Sequence, residues 1–397
     1  MTTKHDPITS ILTRGVSEVI VKNELESLLR SKKKIKLYLG LDPTSTLLHL
    51  GNAIPLRKLK AFQDLGHHVI FLVGNFTALI GDTSDKDSMR KPLTQSEIDE
   101  NFKTWKEQAS KILDFSKAET VYNKDWLEKL GFKEILELAN KFTVQQMIER
   151  DMYQDRMSKG KPIGLHEFLY PLMQGYDSVA LGVDLELGGN DQLFNMLAGR
   201  TLQKVLNNRE KHVMTMKLLL GTDGRKMSKS YNNTINIADT PGEQYGKLMS
   251  TTDDLILDYF ELCTDLPMEE IKSMAAEMKA GGNPRDYKMR LGREIVTIYH
   301  GADSAAHAEA EFKKIFQKKD LPSEIAEKEL PEASYNIVEL VVTAGFAPSK
   351  NEARRLVEGG GVKIDGEKIT DYKSVIDLKK PHLLQVGKRN FLKVVRR

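Results

Sequence analysis

Ile35, Leu37, Leu39 and Leu41 alternate with Lys36, Tyr38 and Gly40, the two-residue period of a strand with one face in a core. Asp42-Pro43-Thr44 breaks that pattern. Apolar residues then recur near helical spacing at Leu50, Ile54, Leu59, Phe62 and Leu65, and Gly66 supplies the stop. Val69 to Val73 is a continuous apolar run, as a parallel strand buried on both faces requires. Strand, loop, helix and strand in that order make a βαβ unit. This unit predicts an α/β fold with a doubly wound parallel sheet of the nucleotide-binding kind.

The chain has 397 residues, of which 40% are hydrophobic and 29% charged, enough for two or three domains of about 150 residues each. A catalytic domain is expected over residues 1–240, with a helical insertion and dimer contact at about 100–165. Leu136, Asn140, Val144, Met147 and Met152 read as one helix face within that insertion, either core or subunit contact. Residues 241–320 read as short helices broken by Pro267, Gly281-Gly282 and Pro284. Residues 321–333 read as a linker, and 334–397 as a small α+β unit. That last unit has a helix at Lys350–Glu358, short strands near Val362–Ile364 and Leu383–Val386, and a tight turn at Asp365-Gly366.

The net charge is +3, but residues 334–397 hold 13 Lys and Arg against 7 Asp and Glu, leaving −3 for the rest. A basic end on a mildly acidic body fits a polyanionic partner, or merely a solvated face. Cys263 is the single cysteine, which excludes an intrachain disulfide and a cysteine-cluster zinc site. No apolar run reaches the ~20 residues needed to span a bilayer, and no secretory leader pattern opens the sequence. No membrane partner and a cytoplasmic location are expected.

No Walker-type phosphate loop and no Gly-x-Gly-x-x-Gly after a strand occur in the sequence. Two other segments suit a nucleotide. His49-Leu50-Gly51-Asn52 stands where loop becomes helix, and a helix N-terminus offers unpaired N–H groups to an anion. Lys226-Met227-Ser228-Lys229-Ser230 puts two lysines in a hydroxyl-bearing loop, suited to charge developing on a departing pyrophosphate. Each segment alone admits a plainer reading: a capping histidine, a solvated basic loop.

In this order, the pair resembles the HIGH and KMSKS signatures of class I aminoacyl-tRNA synthetases, the second present in full. The remaining blocks are similar to the bacterial tyrosyl type: Tyr38 to Thr44, Gly81-Asp82, Tyr170 to Asp177, and Gly188 to Gln192. Ser349 to Leu356 and Gly361 to Gly366 resemble the RNA-binding module shared with a small-subunit ribosomal protein. The resemblance spans nearly the whole chain. It departs at Asn52, where histidine is commoner; an amide can still donate to a ribose oxygen.

The resemblance implies a doubly wound catalytic domain with a helical insertion, a helical anticodon-recognition domain over 241–320, and the RNA-binding module. It implies that Tyr38 and Asp177 bind the substrate phenol, and that Asp82, Tyr170 and Gln174 hold the α-ammonium, with Thr77 and Asn123 as further tyrosine-binding candidates nearby. Gln192 would orient the tyrosine carboxylate. His49, Asn52 and Thr44 would contact ATP, with Gly51, Met227, Ser228 and Ser230 beside it. Gly189 and Asp191 would take the adenylate ribose. Lys86, Arg90, Lys226 and Lys229 would stabilise the leaving pyrophosphate. Lys350, Arg354, Arg355 and Lys363 would bind RNA. The partners implied are tRNA(Tyr), L-tyrosine and ATP with its Mg2+, in a homodimer without a resident metal. Tryptophan activation on the same architecture, and a catalytically silent RNA-binding relative, remain the alternatives at this point.

Overall fold

The structure, a computed structural model, describes residues 6–82, 93–228, 231–317, 325–387 and 390–397. It comprises two compact units, Met1–Ala305 and Ala306–Arg397.

The first unit is built on a six-stranded sheet: β1 (Val16–Ile20), β2 (Lys36–Leu41), β3 (His68–Val73), β4 (Ala118–Tyr122), β5 (Leu185–Gly189) and β6 (His212–Met216). The strand order is β1-β6-β5-β2-β3-β4. Strands β2 to β6 pair in parallel, whereas β1 lies antiparallel on the edge beside β6. The sheet is therefore mixed at one edge. The α/β expectation holds, and the predicted β2–helix–β3 unit is present with its helix at Leu50–Asp64.

Alternation along β2 sends its side chains to two layers. Leu37 and Leu39 enter the large core with Val69, Phe71 and Val73 of β3 and with Leu56, Leu59 and Phe62 of the Leu50–Asp64 helix. Burying each such side chain contributes ~1.5–3 kcal/mol. Tyr38 faces the other way and packs with Ile70, Leu72 and Val183. The Tyr170–Leu181 helix lies on that second face, and its Ser178 reaches the Tyr38 hydroxyl at 3.0 Å. Helices on both faces are what a doubly wound sheet demands.

The helices between 241 and 300 are not set apart from the sheet. Leu248, Ile256, Tyr259, Phe260, Leu291 and Ile295 share the core of Leu37 and Leu59. Arg14, just before β1, fastens this region by donating to four backbone carbonyls: Phe260 (3.3 Å), Glu261 (2.9 Å), Thr264 (2.8 Å) and Leu266 (2.6 Å). The single helix face expected across 136–152 is overturned. Three short helices occupy the stretch: Phe132–Ala139, Val144–Ile148 and Asp151–Ser158. Thr143 caps the second by accepting from Gln146 N–H, so a new helix begins where continuation was expected. Met147 is buried while Leu136 and Val144 are exposed.

The second unit contains a five-stranded sheet and a two-stranded one. Its strands are β7 (Glu327–Leu330), β8 (Ser334–Asn336), β9 (Val362–Ile364), β10 (Glu367–Ile369), β11 (Val375–Asp377), β12 (His382–Val386) and β13 (Asn390–Arg396). The large sheet runs β10-β9-β12-β13-β7. β7 lies inside the stretch expected as a linker; it pairs in parallel with β13, and Leu330 is buried in this unit's core. The helix Lys350–Glu358 forms as expected. Asp365 and Gly366 both take positive φ, 51° and 88°, which is the turn needed between β9 and β10.

Candidate active site

A cavity of about 500 Å³ opens where β2 adjoins β5, the point from which the strand order runs in opposite directions. In such sheets the crevice at the carboxyl ends of the strands is where ligands bind. Its lining brings together Tyr38, Thr44, His49, Gly51, Asn52, Thr77, Asp82, Tyr170, Gln174, Asp177, Gly189, Asp191, Gln192, Lys226, Met227 and Ser228. These come from six separate stretches of chain. Asn123 stands behind the lining, fully buried. Lys86, Arg90, Lys229 and Ser230 lie outside the described residues.

The floor is polar and largely buried. Asp177 is 2% exposed; its Oδ1 accepts from Trp126 Nε1 at 2.8 Å and its Oδ2 from Asn123 Nδ2 at 3.3 Å. Burial pushes this carboxyl well above the usual carboxylate range, while the Trp126 and Asn123 donors pull it back. A further donor arriving from a ligand would favour its ionised form. Burial likewise drives Tyr38 above the usual tyrosine range, so it is a neutral hydroxyl at physiological pH.

Beside this pair, Asp42 organises a second group. Thr77 Oγ1 donates to Asp42 Oδ1 at 2.7 Å, and Tyr170 donates to Asp42 Oδ2 at 2.9 Å. Asn123 Nδ2 also donates to Thr77 Oγ1 at 3.0 Å. Gln174 Nε2 donates to Glu186 Oε1 at 3.2 Å, and Gln192 Nε2 to Asp82 Oδ2 at 2.6 Å. Tyr170, Gln174, Asp177 and Ser178 follow helical spacing on one side of the Tyr170–Leu181 helix, which presents them together.

The two signature segments meet at the mouth. Ile235 O accepts from Leu50 N–H at 2.9 Å, and Leu48 O from Ile237 N–H at 2.8 Å, stitching the helix entrance to the chain just beyond the lysine loop. Asn52 Oδ1 accepts from His49 N–H at 3.1 Å. The His49 Nδ1 is buried without a hydrogen-bond partner. Burial, helped by Lys226, lowers this imidazole to about 4, so it is neutral at physiological pH and keeps one N–H to donate. A Cβ at Gly51 would stand 3.0 Å from that ring, so glycine leaves the imidazole its room. Lys226 Nζ sits 3.2 Å from Asp191 Oδ2. Asn233, 2% exposed, shapes the loop: Ser228 N–H donates to its Oδ1 (2.8 Å), and its Nδ2 donates to Lys226 O (3.0 Å) and Asp223 Oδ1 (2.7 Å).

Sequence reasoning missed Asp42, Trp126, Ser178, Glu186, Lys211 and Asn233. One signal was available: Glu186 interrupts the apolar Leu185–Leu187 core of a buried strand, and a charge there must have a partner. Lys211 carried no such mark.

In the second unit, Lys350, Arg354 and Arg355 are exposed on one helix, and Lys363 is half-buried on β9. Lys350 pairs with Glu339 at 2.6 Å, and Arg354 pairs with Glu358 at 2.8 Å while its guanidinium stacks 3.9 Å over Tyr372.

Residues 30–317 match the model of the family described as tRNA synthetases class I (W and Y). The chain belongs to this family. Residues 311–393 match a second model, the tyrosine–tRNA ligase SYY-like C-terminal domain. Among class I relatives, the chain is 47% identical over 390 residues to the tyrosine–tRNA ligase of Moorella thermoacetica, covering 97% of this chain and 94% of that one. It is 48% identical over 386 residues to that of Thermotoga maritima, covering 97% and 96%. Two solved synthetases share the fold. One is a C-terminally truncated mitochondrial tyrosyl-tRNA synthetase of Aspergillus nidulans (TM-score 0.65, 24% identity, 79% of this chain and 95% of that one). The other is the Archaeoglobus fulgidus tyrosyl-tRNA synthetase complexed with L-tyrosine (TM-score 0.61, 24% identity, 77% and 100%).

Proposed function

We propose that this class I synthetase activates L-tyrosine with ATP, forming tyrosyl-adenylate and pyrophosphate, and passes the tyrosine to the 3′ end of tRNA(Tyr). The observation that carries the reading is the buried pair at the cavity floor. Asp177 is an acceptor whose oxygens already take two N–H groups, and Tyr38 is a neutral hydroxyl across from it. A phenol donates to the first and accepts from the second. An indole offers only a donor. The names of the relatives agree with a phenol.

In this reading the tyrosine carboxylate attacks the α-phosphorus in line and pyrophosphate leaves; a terminal ribose hydroxyl of tRNA then attacks the activated carbonyl, gives up its proton and expels AMP. No covalent bond to protein is needed, so catalysis is positioning and electrostatics. Asp82, Tyr170 and Gln174 receive the α-ammonium, with Thr77 and Asn123 holding Asp42 and Asp177 in place. Gln192 orients the carboxylate. His49, Asn52 and Thr44 meet ATP beside Gly51, Met227, Ser228 and Ser230, and Gly189 and Asp191 take the adenylate ribose. Lys226 and Lys229, with Lys86 and Arg90, neutralise the pyrophosphate; Mg2+ enters on the ATP phosphates as part of the substrate. ATP–pyrophosphate exchange across the amino acids tests the assignment. Exchange driven by tyrosine alone is expected. Exchange driven by tryptophan, or none, would reject it.

Helices within 241–320 are assigned to the anticodon region, and Lys350, Arg354, Arg355 and Lys363 to tRNA phosphates. Among the described residues no helix is long and apolar enough to cross a membrane. A homodimer is proposed through the 132–165 region, where Phe132 (77% exposed), Val144 (65%) and Leu165 (81%) leave apolar surface uncovered. Light scattering should give about 90 kDa, twice the 44.9 kDa chain. A monomer at every concentration, charging tRNA at full rate, would end the dimer proposal.

A further inference from the structure

Behind the cavity floor lies a charged cluster that the chemistry above does not use. Lys211, immediately before β6, is fully buried. Its Nζ has three acceptors, one for each N–H: a Glu186 carboxylate oxygen, Ser178 Oγ at 2.8 Å and Met196 O at 2.9 Å. The site is built for this ammonium. A Cβ on Gly199 would stand 2.6 Å from Lys211 Nζ and 2.7 Å from Ser178 Oγ, so glycine at that point of the Leu193–Asn207 helix leaves the space. Burial holds the lysine below its usual range, and Glu186 opposes the shift.

Ser178 has one proton to give and two neighbours to receive it. The Tyr38 hydroxyl lies at 3.0 Å and Glu186 Oε2 at 3.4 Å. If Ser178 donates to Glu186, Tyr38 must donate back to Ser178 or to Glu186, and offers a ligand only lone pairs. If Ser178 donates to Tyr38, the Tyr38 O–H is left for the cavity or for Glu186, which also lies within its reach. Lys211 tips this choice. It neutralises Glu186, weakening its hold on both the serine and the tyrosine proton, and occupies a Ser178 lone pair, so the serine proton goes to the nearer oxygen and the Tyr38 proton to the ligand.

We propose that Lys211 and Ser178 are positioning residues that set Tyr38 as the donor of the phenol site. They form a one-way chain from Lys211 N–H to Ser178, to Tyr38, to the substrate hydroxyl and finally to Asp177. This rests on the reading that the cavity takes tyrosine. The chain begins on an ammonium and ends on a carboxylate, so every hydrogen bond along it has one polarity. Phenylalanine interrupts it in the middle.

A double-mutant cycle tests the chain. Pyrophosphate-exchange kcat/KM is measured with tyrosine and with phenylalanine for the unmodified enzyme, Ser178→Ala, Tyr38→Phe and the double variant. Ser178→Ala should lower the tyrosine-to-phenylalanine ratio about fivefold, the size of one net hydrogen bond and no more than loss of the Tyr38 hydroxyl itself. In the Tyr38→Phe background it should change the ratio less than twofold, because the link it serves is already gone. An equal loss in both backgrounds, or no loss in the first, overturns the proposal. Lys211→Met combined with Glu186→Gln, which removes both charges while keeping volume, should reproduce the Ser178→Ala ratio; a full ratio in this folded variant overturns it equally. If that variant does not fold, the serine cycle decides by itself. Unmodified enzyme without tyrosine-dependent exchange would sink the functional reading instead. A tyrosine-selective enzyme whose Ser178→Ala variant stays equally selective sinks the chain alone.

Discussion

Asp177→Ala should reduce tyrosine activation by two orders of magnitude or more while leaving ATP affinity unchanged. The side chain is the only carboxylate bonded by both Trp126 and Asn123 among the described contacts, and it is buried, so the charge it offers a phenol has no ready substitute. Losing a hydrogen bond to a charged group costs ~1.5–3 kcal/mol, about 10- to 150-fold. The Trp126 and Asn123 N–H groups left pointing into the gap add their own desolvation. Tyr38→Phe deletes a neutral hydroxyl and should cost only about 2- to 12-fold, from ~0.5–1.5 kcal/mol. The two variants should also differ toward phenylalanine. Removing Asp177 relieves the unpaired buried group that phenylalanine would otherwise face, so the preference for tyrosine should collapse. Pyrophosphate exchange with tyrosine, phenylalanine and tryptophan measures all of this. Equal and small losses for both variants would mean that the phenol is recognised elsewhere.

Removing residues 318–397 should separate the two half-reactions. The core of the second unit is drawn entirely from Leu330 to Val394, and no residue of the larger core belongs to it. The cut must precede β7. A break at 333 would leave Glu327–Leu330 without its β13 partner, an unpaired strand liable to aggregate. The shortened protein should retain tyrosine-dependent pyrophosphate exchange. It should lose tRNA charging at low tRNA concentration, and the intact protein's charging should fall steeply with salt. Unchanged charging at every tRNA and salt concentration would show that the second unit does not hold tRNA.

The parts of this structure that sequence made legible share a cause. The β2–helix–β3 unit could be read because its core positions follow a single period with clear stops at Asp42 and Gly66. The turn at Asp365-Gly366 could be read because few residue pairs tolerate two positive φ values. The cavity-lining residues were legible through their order along the chain rather than through any local property. What stayed hidden is non-local. Lys211 has the same composition signal as a surface lysine, and only the approach of Ser178, Glu186 and Met196 O makes it a buried ion. The strand β7 is mostly charged and half of an edge pair, so its apolar signal is Leu330 alone. The antiparallel β1 depends on β6, some 200 positions later, and no short-range pattern announces such a partner.

That last separation, together with the carbonyls gathered by Arg14, bears on how the chain is made. Val16 to Ile20 waits for His212 to Met216, and Arg14 waits for Phe260 to Leu266. This segment is thus made well before its partners and is among the last of the unit to acquire them. Until then it is an open strand beside a loose arginine, and the nascent first unit holds an uncovered sheet edge through most of its synthesis. The second unit draws on partners within its own ninety or so residues and is free of this delay. A stall in translation before β6 has emerged should therefore expose β1 to a chaperone or a protease, whereas a stall well beyond residue 266 should not.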